Sequence, residues 1–303
     1  EVLALGRRGG HDPAPVDQHT VFEAASLTKP LVAYLALQLA DRGALDLDQP
    51  LSAICGEFVP GDAAALEITA RHVLSHTCGL PNLVTEATPL KTYFAPGTRF
   101  SYASTGFGYL QRALERTTGE SIEDTARRAV FQPFGMEDSS LRWQPRFDAN
   151  HAAGHDWDGN GEAKRRVEQP HASWSLHTTA SDYARFLQAV LDGHGLSALA
   201  REIWFMPVVR PPTGGNAEDL QGLQPRDPDV AWGLGWGLEP ATECFFHWGH
   251  SPGFRAYVVA CRRSRDAVVW FANSAGGLRF AHEILAQALP GDHPSLRWMH
   301  LRR

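Results

Sequence analysis

No long apolar run occurs in this sequence. The longest, Leu31 to Ala40, is interrupted by Gln38 and falls well short of the ~20 residues that cross a bilayer. Blocks of like charge are also missing, none being longer than Lys164-Arg165-Arg166, and 28 basic against 34 acidic side chains leave a net charge of −6. A nucleic-acid-binding surface is therefore not expected. Cysteine is scarce: Cys55, Cys78, Cys244 and Cys261 are too few and too scattered for a disulfide scaffold and form no C-x-x-C pair, which argues against metal binding through sulfur. The chain opens on Glu1 with neither an initiator Met nor a signal-peptide pattern. An upstream portion is expected to be missing, and the compartment, cytoplasmic or exported, is left open.

What is present is ordinary globular usage, with 43% hydrophobic and 20% charged residues, 28 Gly and 20 Pro, which excludes disordered, collagenous and coiled-coil classes. A length of 303 residues predicts one large or two interlocked domains that bury about 75% of the unfolded surface. Val2 to Leu5 reads as a strand, followed by a Gly/Pro-rich loop and an extended Thr20-Val21-Phe22. From Ser26 the pattern turns helical, and Leu31, Val32, Tyr34, Leu35, Leu37 and Leu39 cover nearly the whole circumference before Asp41-Arg42-Gly43. A helix apolar on all sides is a buried central helix. Pro30 falls in its first turn, where the missing N–H costs nothing, so Ser26 stands at or beside the helix N-terminus.

Helical segments are then expected at 70–75, 104–117, 121–130, 180–191 and 196–205, with Ser104 and Ser181 as N-caps and Gly119 and Gly193 as C-terminal stops. Short aromatic and β-branched runs at 231–238, 243–248, 255–262 and 267–273 follow at hairpin spacing, and 278–289 closes as a helix. The expected class is α/β (α+β): an antiparallel sheet flanked by helices and built from both chain ends, with a mostly helical insert. In that division 1–25 and 231–303 form the sheet region, 26–230 the helical region, and the site lies at their interface.

Three patterns mimic chemistry. Gly249-His250-Ser251-Pro252-Gly253 matches G-x-S-x-G, but the nucleophile elbow needs a following helix and the N–H of the next residue, and Pro252 has none. It reads as a hairpin turn. Asp156-Trp157-Asp158-Gly159-Asn160-Gly161 copies half of an EF-hand loop, yet Val167 stands where the bidentate Glu belongs and three cations precede it. His72 and His76 are four apart without the Glu of a zinc protease, and read as buried, hydrogen-bonded histidines.

Ser26-Leu27-Thr28-Lys29 is different. A spacing of three on a helix puts the Lys amine within reach of the Ser hydroxyl, and free N–H groups at the helix start favour negative charge there. That combination activates a serine without a histidine. The same chain carries Val73-Leu74-Ser75-His76-Thr77-Cys78-Gly79-Leu80-Pro81, Pro96-Gly97-Thr98-Arg99-Phe100-Ser101-Tyr102-Ala103-Ser104 and His247-Trp248-Gly249. Further landmarks are Phe131-Gln132-Pro133-Phe134-Gly135-Met136, the Thr178-to-Phe186 segment and Trp232-Gly233-Leu234-Gly235-Trp236. In this order and at these distances the sequence resembles, almost end to end, the serine β-lactamase and penicillin-binding-protein family, in its branch of class C β-lactamases, esterases and D-aminopeptidases.

The resemblance implies that Ser26 is the acylated nucleophile, Lys29 its proton partner and Tyr102 the phenol of Y-x-N acting as general base. A cationic Lys29 beside Tyr102 would lower the phenol pKa. His247-Trp248-Gly249 takes the place of K-T-G on the strand lining the site, the N–H groups of Ser26 and His250 form the oxyanion hole, and Gly249 lets substrate approach the strand. Two departures bear on substrate: Ser104 replaces the Asn of Y-x-N, and His247 replaces the Lys of K-T-G. An unperturbed imidazole would regain charge only below about pH 6.5. The reading is a serine hydrolase acting on a small ester, amide or D-peptide, without metal or organic cofactor. The rivals are a true β-lactamase or DD-carboxypeptidase, and a penicillin-binding-like sensor or inactive scaffold.

Overall fold

The computed structural model describes residues 1–9, 12–214 and 218–301. Its principal sheet is an antiparallel meander of five strands: β5 (Ala231–Trp232), β6 (Gly237–Glu239), β7 (Cys244–Ser251), β8 (Phe254–Cys261) and β9 (Ala267–Ala272). These are the aromatic and β-branched runs of the sequence, joined in order by short turns. Residues on β7 and β8 alternate between two cores, as a strand period of two requires. Phe245, Ala256, Val258 and Ala260 pack toward the large helical core. Phe246, Trp248, Tyr257 and Val259 pack with Leu285, Leu296 and Trp298 of the C-terminal helices α8 (Ala281–Ala288) and α9 (Pro294–Trp298).

All five strands come from the C-terminal part, which corrects the expectation that both chain ends build this sheet. The N-terminal strands β1 (Arg7–Gly9) and β2 (Asp12–Pro15) pair with each other, and β3 (Phe22–Ala25) pairs with β4 (Leu176–Thr178). Val2 to Leu5 forms no strand and is exposed; Gly10-His11 of the expected loop lie outside the described residues. The cysteine reading also needs correction, because Cys244 and Cys261 form a disulfide. They are opposed residues on β7 and β8. Only register brings them together, and no spacing motif marks that.

The central helix α1 (Thr28–Asp41) is buried continuously from Thr28 to Gln38, as its unbroken apolar circumference predicts. Around it stand α2 (Leu51–Cys55), α3 (Ala70–Leu74), α4 (Thr105–Thr118), α5 (Ile122–Ala126), which runs into a π turn, α6 (Ala180–Asp192) and α7 (Ala198–Trp204). Gly119 and Gly193 end α4 and α6 in left-handed conformation, as expected. The caps differ: Thr179, not Ser181, caps α6, and the Ser104 side chain caps nothing.

Candidate active site

β3 leads directly into α1, and the joint is tightly specified. Ala25 takes a left-handed φ of 48°, costly for a residue with a Cβ, and the β3–β4 register slips beside it. Thr28 Oγ1 donates to Ala25 O at 2.7 Å and accepts the Leu176 N–H at 3.0 Å. Leu27 N–H donates to Ala24 O, and Tyr183 Oη to Leu27 O. Ser26 is thus presented between a strand end and a helix start, half-buried.

Lys29 is completely buried. Its Nζ lies 2.9 Å from Ser26 Oγ and 2.9 Å from Ser173 O, and 5.0 Å from the centre of the Tyr102 ring. Burial holds its pKa well below the ordinary lysine value, and no carboxylate offsets that. Tyr102 is also buried, and its hydroxyl has no partner at full hydrogen-bond geometry. Burial raises its pKa, with the Ser26 hydroxyl pulling the other way. Both shifts run against the sequence expectation of a cationic lysine beside an acidified phenol. Desolvation exceeds the pairwise effect here, because both groups are sealed from water.

His76 positions Tyr102. It adopts φ 55°, its carbonyl accepts the Ser101 N–H at 2.8 Å, and its Nδ1 accepts the Ala103 N–H at 3.1 Å. Its ring stacks on the phenol at 4.1 Å between centroids. The N–H groups of both residues flanking Tyr102 are therefore tied to one residue, which the sequence marked only as a buried histidine.

His247 is fully buried. Its Nδ1 accepts the Trp248 N–H at 2.9 Å, and burial together with the nearby Lys29 pushes its pKa down to about 3. The expectation of a histidine gaining charge near pH 6.5 is thus corrected. Trp248 is buried too, its ring 5.3 Å from Tyr102 and 5.5 Å from Trp298. Gly249 also has a packing reason: a Cβ there would sit 2.2 Å from Ala24 O, so the glycine admits β3 against β7. His250 is exposed at the end of β7. β6 pairs only with Cys244–Phe246, so among the described residues β7 from His247 onward has no hydrogen-bonded strand on that side.

Ser104, which stands in place of the Asn of Y-x-N, has an amide side chain beside it from another segment. Asn82 Oδ1 accepts the Ser104 N–H at 3.2 Å, and Asn82 O accepts from Thr105 Oγ1. Neither Asn82 nor the Ser173 carbonyl carries a local sequence signal, since each meets the site only through the fold. His171 belongs with them: its Nδ1 lies 2.9 Å from Ser173 Oγ, and burial and Lys29 lower its pKa.

The mimics resolve as hairpins. Ser251 Oγ donates to Glu23 Oε2 at 3.0 Å, and Gly253 turns at φ 69°. Asp156 accepts from the Asp158 and Asn160 N–H groups within its own turn. Among the described residues the one group with metal-like spacing is Glu239, Cys244 and His293. It is closed to an ion, because Cys244 is in the disulfide and His293 Nδ1 is already engaged by Glu239 Oε2.

A family model described as Beta-lactamase matches residues 2–290, and the chain belongs to that family. It is 24% identical over 315 residues to Penicillin-binding protein 4* of Bacillus subtilis (strain 168), covering 90% of this chain and 65% of that protein. Esterase EstB of Burkholderia gladioli is 31% identical over 156 residues, 41% of this chain and 39% of that protein. The chain thus spans less than two thirds of the length of these relatives. The fold matches a penicillin binding protein from Bacillus halodurans with TM-score 0.77 at 23% identity, covering 93% of this chain and 90% of that one. A class C beta-lactamase matches with TM-score 0.72 at 21% identity, covering 92% and 85%.

Proposed function

We propose that this chain is a serine hydrolase that cleaves an ester or amide through an acyl-Ser26 intermediate. The observation that carries the reading is Lys29, buried without a counter-charge and 2.9 Å from the Ser26 hydroxyl. A lysine held neutral in this way has a lone pair for the Ser26 proton as Oγ attacks a carbonyl carbon. The Ser173 carbonyl orients the amine by accepting one of its N–H groups. Tyr102, protonated and pinned by His76, is placed to pass a proton on to the leaving group. The N–H groups of Ser26 and His250 are assigned to the oxyanion. Water then repeats the sequence on the acyl-enzyme.

Ester or D-peptide substrates are favoured over β-lactams because His247 is neutral and buried, so β7 offers no cation there to an anionic lactam. The name of the esterase relative agrees with this. A β-lactamase or DD-carboxypeptidase is the second reading, favoured by the Asn82 amide beside Ser104 and by the penicillin-binding and class C neighbours. Turnover of p-nitrophenyl butyrate beside a chromogenic cephalosporin, with fluorophosphonate labelling located by mass, tests both. Labelling at Ser26 with faster ester turnover is expected; label on Ser251, or none, refutes the acyl-Ser26 reading.

A further inference from the structure

Arg255 is a buried guanidinium without a carboxylate. It lies on β8 and is 8% exposed. Among the described residues only Nη1 is engaged, donating to Ser251 O at 2.9 Å and Phe254 O at 2.7 Å. Burial lowers its pKa and no acidic group offsets that. Arg71, Arg165 and Arg185, by contrast, each meet an Asp or Glu. A cation withdrawn from water and left uncompensated is costly, so its persistence asks for an anion. Nε and Nη2 have no partner among the described residues and are not among the sealed polar atoms, so part of the planar fork that suits a carboxylate faces outward.

Its place fits a substrate. Arg255 is directly opposite His250 in the β7–β8 register, so the two side chains share a sheet face and their Cα atoms are about 5 Å apart. Gly277 keeps the stem uncrowded: a Cβ there would stand 3.2 Å from the Arg255 Cβ. The exposed Trp157 ring lies beyond the neighbouring Gly276 with the Arg279 guanidinium 4.9 Å over it, so the opening is walled by an indole that carries a second cation. His247, buried and neutral, leaves the inner side of β7 without a cation.

We propose that the outward fork of Arg255 is an anion subsite that receives a carboxylate on the substrate cleaved at Ser26. The inference rests on the acyl-Ser26 reading. Two matched pairs of esters test it: m-carboxyphenyl acetate with phenyl acetate, and p-nitrophenyl hemisuccinate with p-nitrophenyl butyrate. The first pair puts the carboxylate on the leaving group and the second on the acyl group. The wild type is expected to favour the charged member of one pair, by kcat/KM. Arg255→Gln should reduce that preference at least tenfold, through KM, and Arg255→Lys should recover part of it. Unchanged preference in both pairs on Arg255→Gln overturns the subsite and leaves Arg255 as a hairpin clamp. Should Arg255→Gln not fold, benzoate decides: competitive inhibition of phenyl acetate hydrolysis that weakens with salt supports the subsite, and no inhibition overturns it. If no ester turns over and Ser26 takes no label, the hydrolase reading fails separately. Calorimetric binding of benzoate to wild type that is weaker in Arg255→Lys then still supports the subsite, and equal or absent binding refutes it.

Discussion

Lys29 and His293 are both buried groups able to carry a positive charge, and their surroundings differ in one respect. Lys29 faces a hydroxyl and a carbonyl. His293 Nδ1 meets Glu239 Oε2 at 3.1 Å while Nε2 faces Leu289 O at 2.9 Å, so both ring nitrogens point at acceptors. Glu239 in turn accepts from the Ser295 N–H and hydroxyl at the start of α9. Burial lowers the lysine pKa, whereas the Glu239 pair raises that of the histidine over the opposing effect of burial. The β3–α1 corner keeps a base ready for chemistry. The C-terminal layer uses a charge as a fastener between β6 and α9.

Ser26→Ala should have the largest effect, on the order of 10⁶ in turnover where catalytic residues act as a unit. The protein should fold normally, and residual esterase activity within tenfold of wild type would place the nucleophile elsewhere. Lys29→Met comes next. Losing the proton acceptor should cost about 10²–10⁴ in kcat, yet removing a buried amine that resists charging should leave stability equal or higher at neutral pH. A large drop in melting temperature would show that Lys29 is charged and paired after all.

Glu239→Gln should do the reverse. Breaking a buried pair leaves the other charge uncompensated, at about 3–5 kcal/mol, while kcat on a neutral ester stays near wild type. Urea unfolding beside steady-state assay separates the two regions. The pH dependences oppose each other as well. The Lys29 pKa is lowered on folding, so the unfolded chain binds the extra proton and stability from this group rises with pH between the folded value and about 10.4. The His293 pKa is raised, so its stabilisation is complete below about pH 6.5 and lost as pH climbs through the folded value. The stability differences of the two variants from wild type should therefore both shrink as pH rises above neutral, that of Lys29→Met from the stable side and that of Glu239→Gln from the unstable side; differences that move in the same direction would show that the groups do not differ.

Much of the hydrolase corner was legible because it is local. Ser26 and Lys29 are three residues apart across the start of one helix, and α1 announces its burial by its composition. Tyr102 and His247 followed from a family resemblance. What stayed hidden depends on register or on backbone atoms: the Ser173 carbonyl, the Asn82 amide, the Cys244–Cys261 pair, and Ala24 O behind Gly249. The sign of the Tyr102 shift was misread for a related reason. Sequence places Lys29 and Tyr102 side by side but does not show that water is excluded from both.

His247 sharpens the comparison with the smallest expected effect, because it is a third buried cation-capable group and lacks any acid. With its pKa pushed down to about 3, it should stay neutral across the range in which the enzyme is folded. The ratio of kcat/KM for m-carboxyphenyl acetate to that for phenyl acetate should then show no step between pH 5.5 and 7.5 attributable to an ordinary histidine near 6.5. His247→Asn keeps a neutral hydrogen-bonding group on β7 and should leave the shape of that profile unchanged within about twofold, even if absolute rates fall. An inflection near pH 6.5 in wild type that vanishes in His247→Asn would mean that water and a counter-charge reach the imidazole. In that case the inner face of β7, and not Arg255 alone, would supply the positive charge that an anionic substrate meets.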